Sequence, residues 1–195
     1  MRQVGRLTPQ RKIIGVNDKF GNRGIKRQQG TTRIIFDSLP LDGRETFRFF
    51  EGSNNRDFPF TNMGSSGNQL GVGEALAFER AYLLVVQDDP IFGAPIISPL
   101  TITSFGGILA GDINLEIANT QVLKPIPLAS FAPEFNKNAY FTTYTNFEFD
   151  TQIVLPPLLE FVSTVRAVRQ PEIADAFLRL TFEGVGSIIA PRRTF

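Results

Sequence analysis

Residues 177–183 read Phe-Leu-Arg-Leu-Thr-Phe-Glu, and their alternation decides how the chain folds. On an extended backbone Leu178, Leu180 and Phe182 point one way and Arg179, Thr181 and Glu183 the other. An apolar side and a polar side repeating every two residues mark a strand that is buried on one face. The same pattern recurs on either side of this stretch. In ETFRFF (45–50) Phe47 and Phe49 oppose Thr46 and Arg48; in TTRIIFD (31–37) Thr32, Ile34 and Phe36 share one parity; in AYFTTYTNFEF (139–149) Phe147 and Phe149 oppose Asn146 and Glu148. Further strands are expected in SPLTITSF, DINLEIA, QVLKPIPLASF, TQIVL, LEFVSTVRAVR and SIIAP, separated by Gly, Pro, Asn and Asp.

Two segments are less plain. GEALAFERAYLLVVQDDP (73–90) opens with helix-favouring residues, yet Phe78, Arg80, Tyr82, Leu84 and Val86 have strand parity, and a strand is expected there. Pro171-Glu172-Ile173-Ala174-Asp175-Ala176 looks helical, with Pro at a helix start. Many short strands without an alternating helix rhythm predict an antiparallel sandwich or barrel. Residues 51–73, rich in Gly, Asn and Ser and without a period, read as a long exposed loop of the kind that forms interfaces.

Composition narrows the chemistry. The 195 residues contain no His and no Cys, which removes Ser-His-Asp and Cys-His catalysis, disulfides and nearly every zinc site. Phe is abundant at 19 copies, with three Tyr and no Trp, so the aromatic content is mostly apolar volume for cores and interfaces. The N-terminus carries charge without the apolar core of about 7–15 residues that a signal peptide has, and a soluble, unprocessed chain is expected.

The charge is divided. Residues 1–33 hold Arg2, Arg6, Arg11, Lys12, Lys19, Arg23, Lys26, Arg27 and Arg33 against the single acid Asp18. Of 20 bases and 19 acids in the chain, these nine and one leave 11 and 18 for the remainder, so the arm is +8 and the body −7. Such an arm releases counterions from phosphates as it binds, and an anionic membrane surface would attract it on the same grounds. The nine cations are therefore the candidate residues for an anionic partner.

Other motifs are better explained by structure. Gly67–Gly73 lacks the Gly-Lys-Ser/Thr ending of a phosphate-binding loop. Asp112, Asn114 and Glu116 share a strand face that could offer oxygens to calcium, but plain alternation accounts for them. The carboxylates Asp88, Asp89, Glu148 and Glu160 could serve a glycosidase-like pair, yet nothing in the sequence positions any two together.

A basic arm followed by an antiparallel β domain with long Pro/Gly/Asn loops, no His or Cys and abundant Phe resembles the jelly-roll capsid proteins of small icosahedral tailless DNA bacteriophages. The stretch FFEGSNNRDFPFTNMGSSGNQLGVGEALAFERAYLLVV (49–86) is similar in style to them. The resemblance implies an all-β fold, an antiparallel β-sandwich of single jelly-roll type, with a basic N-terminal arm over 1–30 and the β domain over 31–195. It further implies a non-enzymatic structural protein of the virion, made in the host cytoplasm. Such a protein would form a shell with copies of itself and other virion proteins while directing its arm to nucleic acid or an internal membrane, and would need no cofactor. A minor virion component (vertex, spike or tail protein) or a carbohydrate-binding β-sandwich are the alternatives.

Overall fold

The computed structural model describes residues 28–52, 58–63, 67–88, 95–99, 102–131, 146–168 and 172–189. Nine strands are formed: β1 (Gln28–Asp42), β2 (Thr46–Phe49), β3 (Ala75–Asp88), β4 (Pro95–Pro99), β5 (Asp112–Ile117), β6 (Thr120–Pro127), β7 (Asn146–Leu155), β8 (Phe161–Arg166) and β9 (Glu172–Ile189). One helix, α1 (Ile102–Leu109), and a 3-10 turn (Leu128–Phe131) complete the described residues.

The strands make an antiparallel β-sandwich. The first sheet runs β1-β9-β3, and the far edge of β3 is shared, with β7 along residues 76–82 and β4 along 84–88. Five strands thus occupy four positions. The second sheet runs β2-β8-β5-β6. With β4 set aside, the pairings are nested: β5 with β6, β3 with β7, β2 with β8 and β1 with β9, each pair enclosing the one before it in sequence.

The FLRLTFE stretch lies in the middle of β9, which is paired along most of its length on both sides. Leu178, Leu180 and Phe182 are buried between the sheets, and Phe47 and Phe49 of β2 are buried opposite, as the alternation predicts. In TTRIIFD the core takes the other parity. Ile35 is buried, whereas Ile34 is half exposed and Phe36 lies on the outer face.

A ladder of rings fills the space between the sheets. It runs Phe131–Phe147–Phe149–Phe78–Phe182–Phe50–Phe161, with successive centroids 5.0, 4.9, 5.5, 4.3, 5.5 and 5.3 Å apart. These are the spacings at which aromatic pairs attract beyond simple burial. Phe50 reaches the ladder because its backbone is left-handed, φ 59°, and the buried Asp37 carboxylate accepts its N–H at 2.7 Å.

Three expectations are corrected. The PEIADA segment is strand from Glu172 onward. Ala176 is buried, and the register of β1 against β9 slips between Pro40 and Asp42, with Asp175 at φ 57°, so the local helix preference yields to pairing. SPLTITSF is not one strand: pairing stops at Pro99 and α1 spans Ile102–Leu109. That helix tolerates Gly106 and Gly107 because Ile108 and Leu109 are buried and Val168 donates its N–H to the Gly107 carbonyl at 2.9 Å. In β3 the strand is correct, but a bulge at Glu79 flips its faces. Phe78 points inward, and after the bulge Ala81, Leu83 and Val85 do, which puts Arg80, Tyr82 and Leu84 on the outer face.

Candidate interaction surfaces on the first sheet

Of the nine arm cations, Arg2, Arg6, Arg11, Lys12, Lys19, Arg23, Lys26 and Arg27 lie outside the described residues. Arg33 is a residue of β1. Its Nη2 donates to Glu74 Oε2 at 2.8 Å, and the same oxygen accepts the Gly71 N–H at 3.3 Å. The side chain is 22% exposed, and its Nη1 is buried without an acceptor among the described residues. One nitrogen of this guanidinium is therefore engaged by the fold and another is not.

Part of loop 51–73 covers an edge. β1 is the outermost strand of its sheet, and even-numbered residues such as Ile34 and Phe36 turn their peptide groups toward the open side. There the Asn62 amide acts as a piece of strand: Oδ1 accepts the Phe36 N–H at 2.8 Å, Nδ2 donates to the Ile34 carbonyl at 2.8 Å, and the Asn62 N–H donates to the Phe36 carbonyl at 3.3 Å. Thr61 pairs with Asp37 as an isolated bridge. Unpaired edges invite other strands, and covering them is how β proteins avoid uncontrolled association.

Arg179 holds this cover down from β9. Its Nε donates to Ser38 Oγ at 2.9 Å, its Nη2 to the Pro59 carbonyl at 2.8 Å, and its Cζ lies 4.4 Å above the Phe36 ring. Burial lowers its pKa below the ordinary guanidinium value. Phe60 packs on Phe177 at 4.7 Å, while Phe58 is 80% exposed. Sequence reasoning marked this loop as an interface but not its hold on β1, because an Asn that mimics a peptide group carries no periodic signal.

Asn62→Ala is expected to remove two side-chain hydrogen bonds at an exposed edge, costing about 1–2 kcal/mol by urea denaturation. It should also increase concentration-dependent association measured by sedimentation. Unchanged stability together with unchanged association would show that the amide does not guard the edge.

Several of the other polar candidates are engaged by the fold, while Asp89 lies outside the described residues. Asp112 receives both Nε and Nη2 of Arg166 at 2.8 Å, Asn114 Oδ1 accepts the Thr164 N–H at 3.2 Å, and no group of acids able to hold a metal occurs among the described residues. Glu148 of β7 lies 3.9 Å from Arg80 and Glu160, just before β8, accepts from Gln69 at 3.3 Å, so the two carboxylates belong to different sheets. On the outer face of β3 the Tyr82 hydroxyl donates to Glu183 at 2.5 Å, and burial followed by that bond pushes its pKa up. Leu70, within the Gly-rich stretch, is buried and bridged to Pro157, and the chain then runs directly into β3 instead of into a helix. Among the described residues, shallow hollows of about 280 Å³ and about 370 Å³ lie beside Arg44, Arg48 and Glu51 and beside Pro125, Pro127, Arg166 and Val168.

The geometry defines an all-β antiparallel sandwich whose distinctive surface among the described residues is a covered sheet edge. No known protein family, curated protein or solved structure matches the chain.

Proposed function

We propose that the protein is a shell-forming structural protein of a virus particle, built on a single jelly roll, which self-associates and turns its basic arm toward the particle's anionic contents. The observation that carries this reading is the nested strand order. Four enclosing pairs distributed alternately over two four-position sheets, β1-β9-β3-β7 and β2-β8-β5-β6, are what an eight-stranded jelly roll requires, and viral capsid proteins are among the proteins that use it. Lectins and cupins use it too. Against those, the chain has no His for a cupin-type metal centre and no Trp for stacking a sugar.

Self-association is supported by Phe58, which is 80% exposed close to the Thr61–Asn62 cover of β1, since exposed aromatic residues are typical anchors of protein interfaces. The test is sedimentation and electron microscopy of the purified full chain over rising concentration, with and without nucleic acid. Closed particles or regular multi-subunit assemblies are expected. A monomer under all these conditions overturns the reading.

A further inference from the structure

We infer that the open part of the β1 edge, Gln28–Ile34, is a dimer interface: two copies of the chain pair these strands antiparallel across a two-fold axis at Thr31, joining their first sheets into one. This rests on the self-association proposed above and adds the surface, the partner and the register.

The edge is covered over part of its length. Phe36 has both peptide groups engaged by Asn62, and the Ile34 carbonyl accepts from Asn62 Nδ2. Peptide groups alternate sides along a strand, so the Ile34 N–H and both groups of Thr32 and Gly30 point the same open way. Among the described residues these groups meet no partner strand. Thr31 Oγ1 donates to the Thr32 carbonyl at 3.2 Å, which leaves that oxygen a second lone pair. Gly30, Thr32 and Ile34 are exposed, Ile34 to 47%. An uncovered row of this kind is a template for another strand.

The strand that fits it is the same strand of a second copy. With the axis at Thr31, Gly30 faces the partner's Thr32 and Ile34 faces the partner's Gln28. Gly30, Thr32 and Ile34 then donate their N–H groups to the carbonyls of the partner's Thr32, Gly30 and Gln28, and the reverse set forms by symmetry. Asn62 Nδ2 already stands where the partner's Gln28 N–H would reach the Ile34 carbonyl, so the added strand stops at the Gln28 carbonyl. The interface therefore lies wholly within the described strand. At the axis the two Thr31 residues oppose each other directly, and Thr–Thr pairs stabilise sheets.

Charge selects the same register. Arg33 is the one charged residue between Gln28 and Ile34. An axis at Thr31 sets the two copies of Arg33 four residues apart along the strands, about 13 Å, beyond the screening length of about 8 Å at physiological salt. An axis at Thr32 would halve that separation to about 7 Å. It would also bring the partner's Gln28 opposite Phe36, the place that Asn62 fills.

The experiment uses the full chain, which has no cysteine, so that a single introduced thiol reports the register. The variants are T31C, T32C and T32P. Directly opposed Thr31 residues would have Cα atoms about 4.5 Å apart, within reach of a disulfide, whereas the two Thr32 residues would be roughly 8 Å apart and outside it. With oxidised glutathione, T31C should give a disulfide-linked dimer on a non-reducing gel while T32C stays monomeric over the same time. By sedimentation the parent should show a monomer–dimer equilibrium. T32P removes an edge N–H from each copy and should weaken the dimer at least about tenfold. Its melting curve should stay close to the parent's, because proline is tolerated on an edge strand where the N–H faces outward.

Cross-linking of T32C as fast as that of T31C overturns the register and the proposal with it. A parent that remains monomeric, or a folded T32P that dimerises as tightly as the parent, places no contact at this edge and overturns it too. If T32P does not fold, the cysteine pair decides alone. Dimers cross-linked through T31C that never grow into particles overturn the shell and leave this inference standing; particles that assemble without that cross-link do the opposite.

Discussion

Replacing Phe182 by alanine is expected to lower the unfolding free energy by about 3–5 kcal/mol, a large part of the 5–15 kcal/mol that typically separates a folded domain from its unfolded chain. Phe182 is 1% exposed and stands within the ring ladder, stacked on Phe78 at 4.3 Å and on Phe50 at 5.5 Å. Removing it breaks two aromatic contacts and leaves a cavity walled by both sheets, and the strand that carries it cannot move to close the gap, because β9 is paired to β1 and β3 at this point. In guanidinium the midpoint should fall while the slope stays the same. Phe58→Ala, at a position 80% exposed, is the comparison and should change stability by no more than about 0.5 kcal/mol. Equal effects at the two positions would mean that the ladder does not hold the sheets together.

How far the chain could be read in advance depends on the range of the force concerned. Alternation along one strand is local, and it correctly places Leu178, Leu180 and Phe182 of β9, as well as Phe47 and Phe49 of β2, in the core. Features set by a partner strand were not legible. The bulge at Glu79 exists because β3 must present both Phe78 and Ala81 to the interior, and nothing in ALAFERAYLL reveals the extra residue. PEIADA has helix-forming residues, but it is drawn into β9 by neighbours that are distant in sequence. The high Phe content was read as apolar volume for cores and interfaces, and seven of the 19 form one internal ladder whose order along the core depends on contacts between strands. Among the candidate site residues, charge counting grouped Arg33 with the arm, whereas its engagement with Glu74 depends on a contact 41 residues away that no local pattern reveals.

The closest approach between β9 and β3 sets up the other large effect. Gly184 pairs with Arg33 on one side and with Phe78, just before the bulge, on the other. A Cβ at Gly184 would lie 2.1 Å from the Ala77 carbonyl oxygen, 2.5 Å from Phe78 Cα and 2.8 Å from the Ala77 carbonyl carbon. All three are backbone atoms of a strand held on both edges, so no side chain can rotate away and the two central strands would have to separate. Such overpacking usually costs about 1–3 kcal/mol, and it should reach or exceed the upper figure here because the strain falls on sheet hydrogen bonds as well as on packing. Gly106, in α1, supplies the contrast: a Cβ there meets nothing within 4 Å among the described residues, and alanine in a helix is favoured over glycine by up to about 1 kcal/mol. For a chain of this size 1 kcal/mol moves the melting temperature by about 2–4 °C, so Gly106→Ala should raise Tm by about that much. Gly184→Ala should lower it by about 6–12 °C or prevent folding, in which case only the Gly106 variant would melt cooperatively. If thermal unfolding followed by circular dichroism gave the same small shift for both, β9 and β3 would not approach as closely as their register requires.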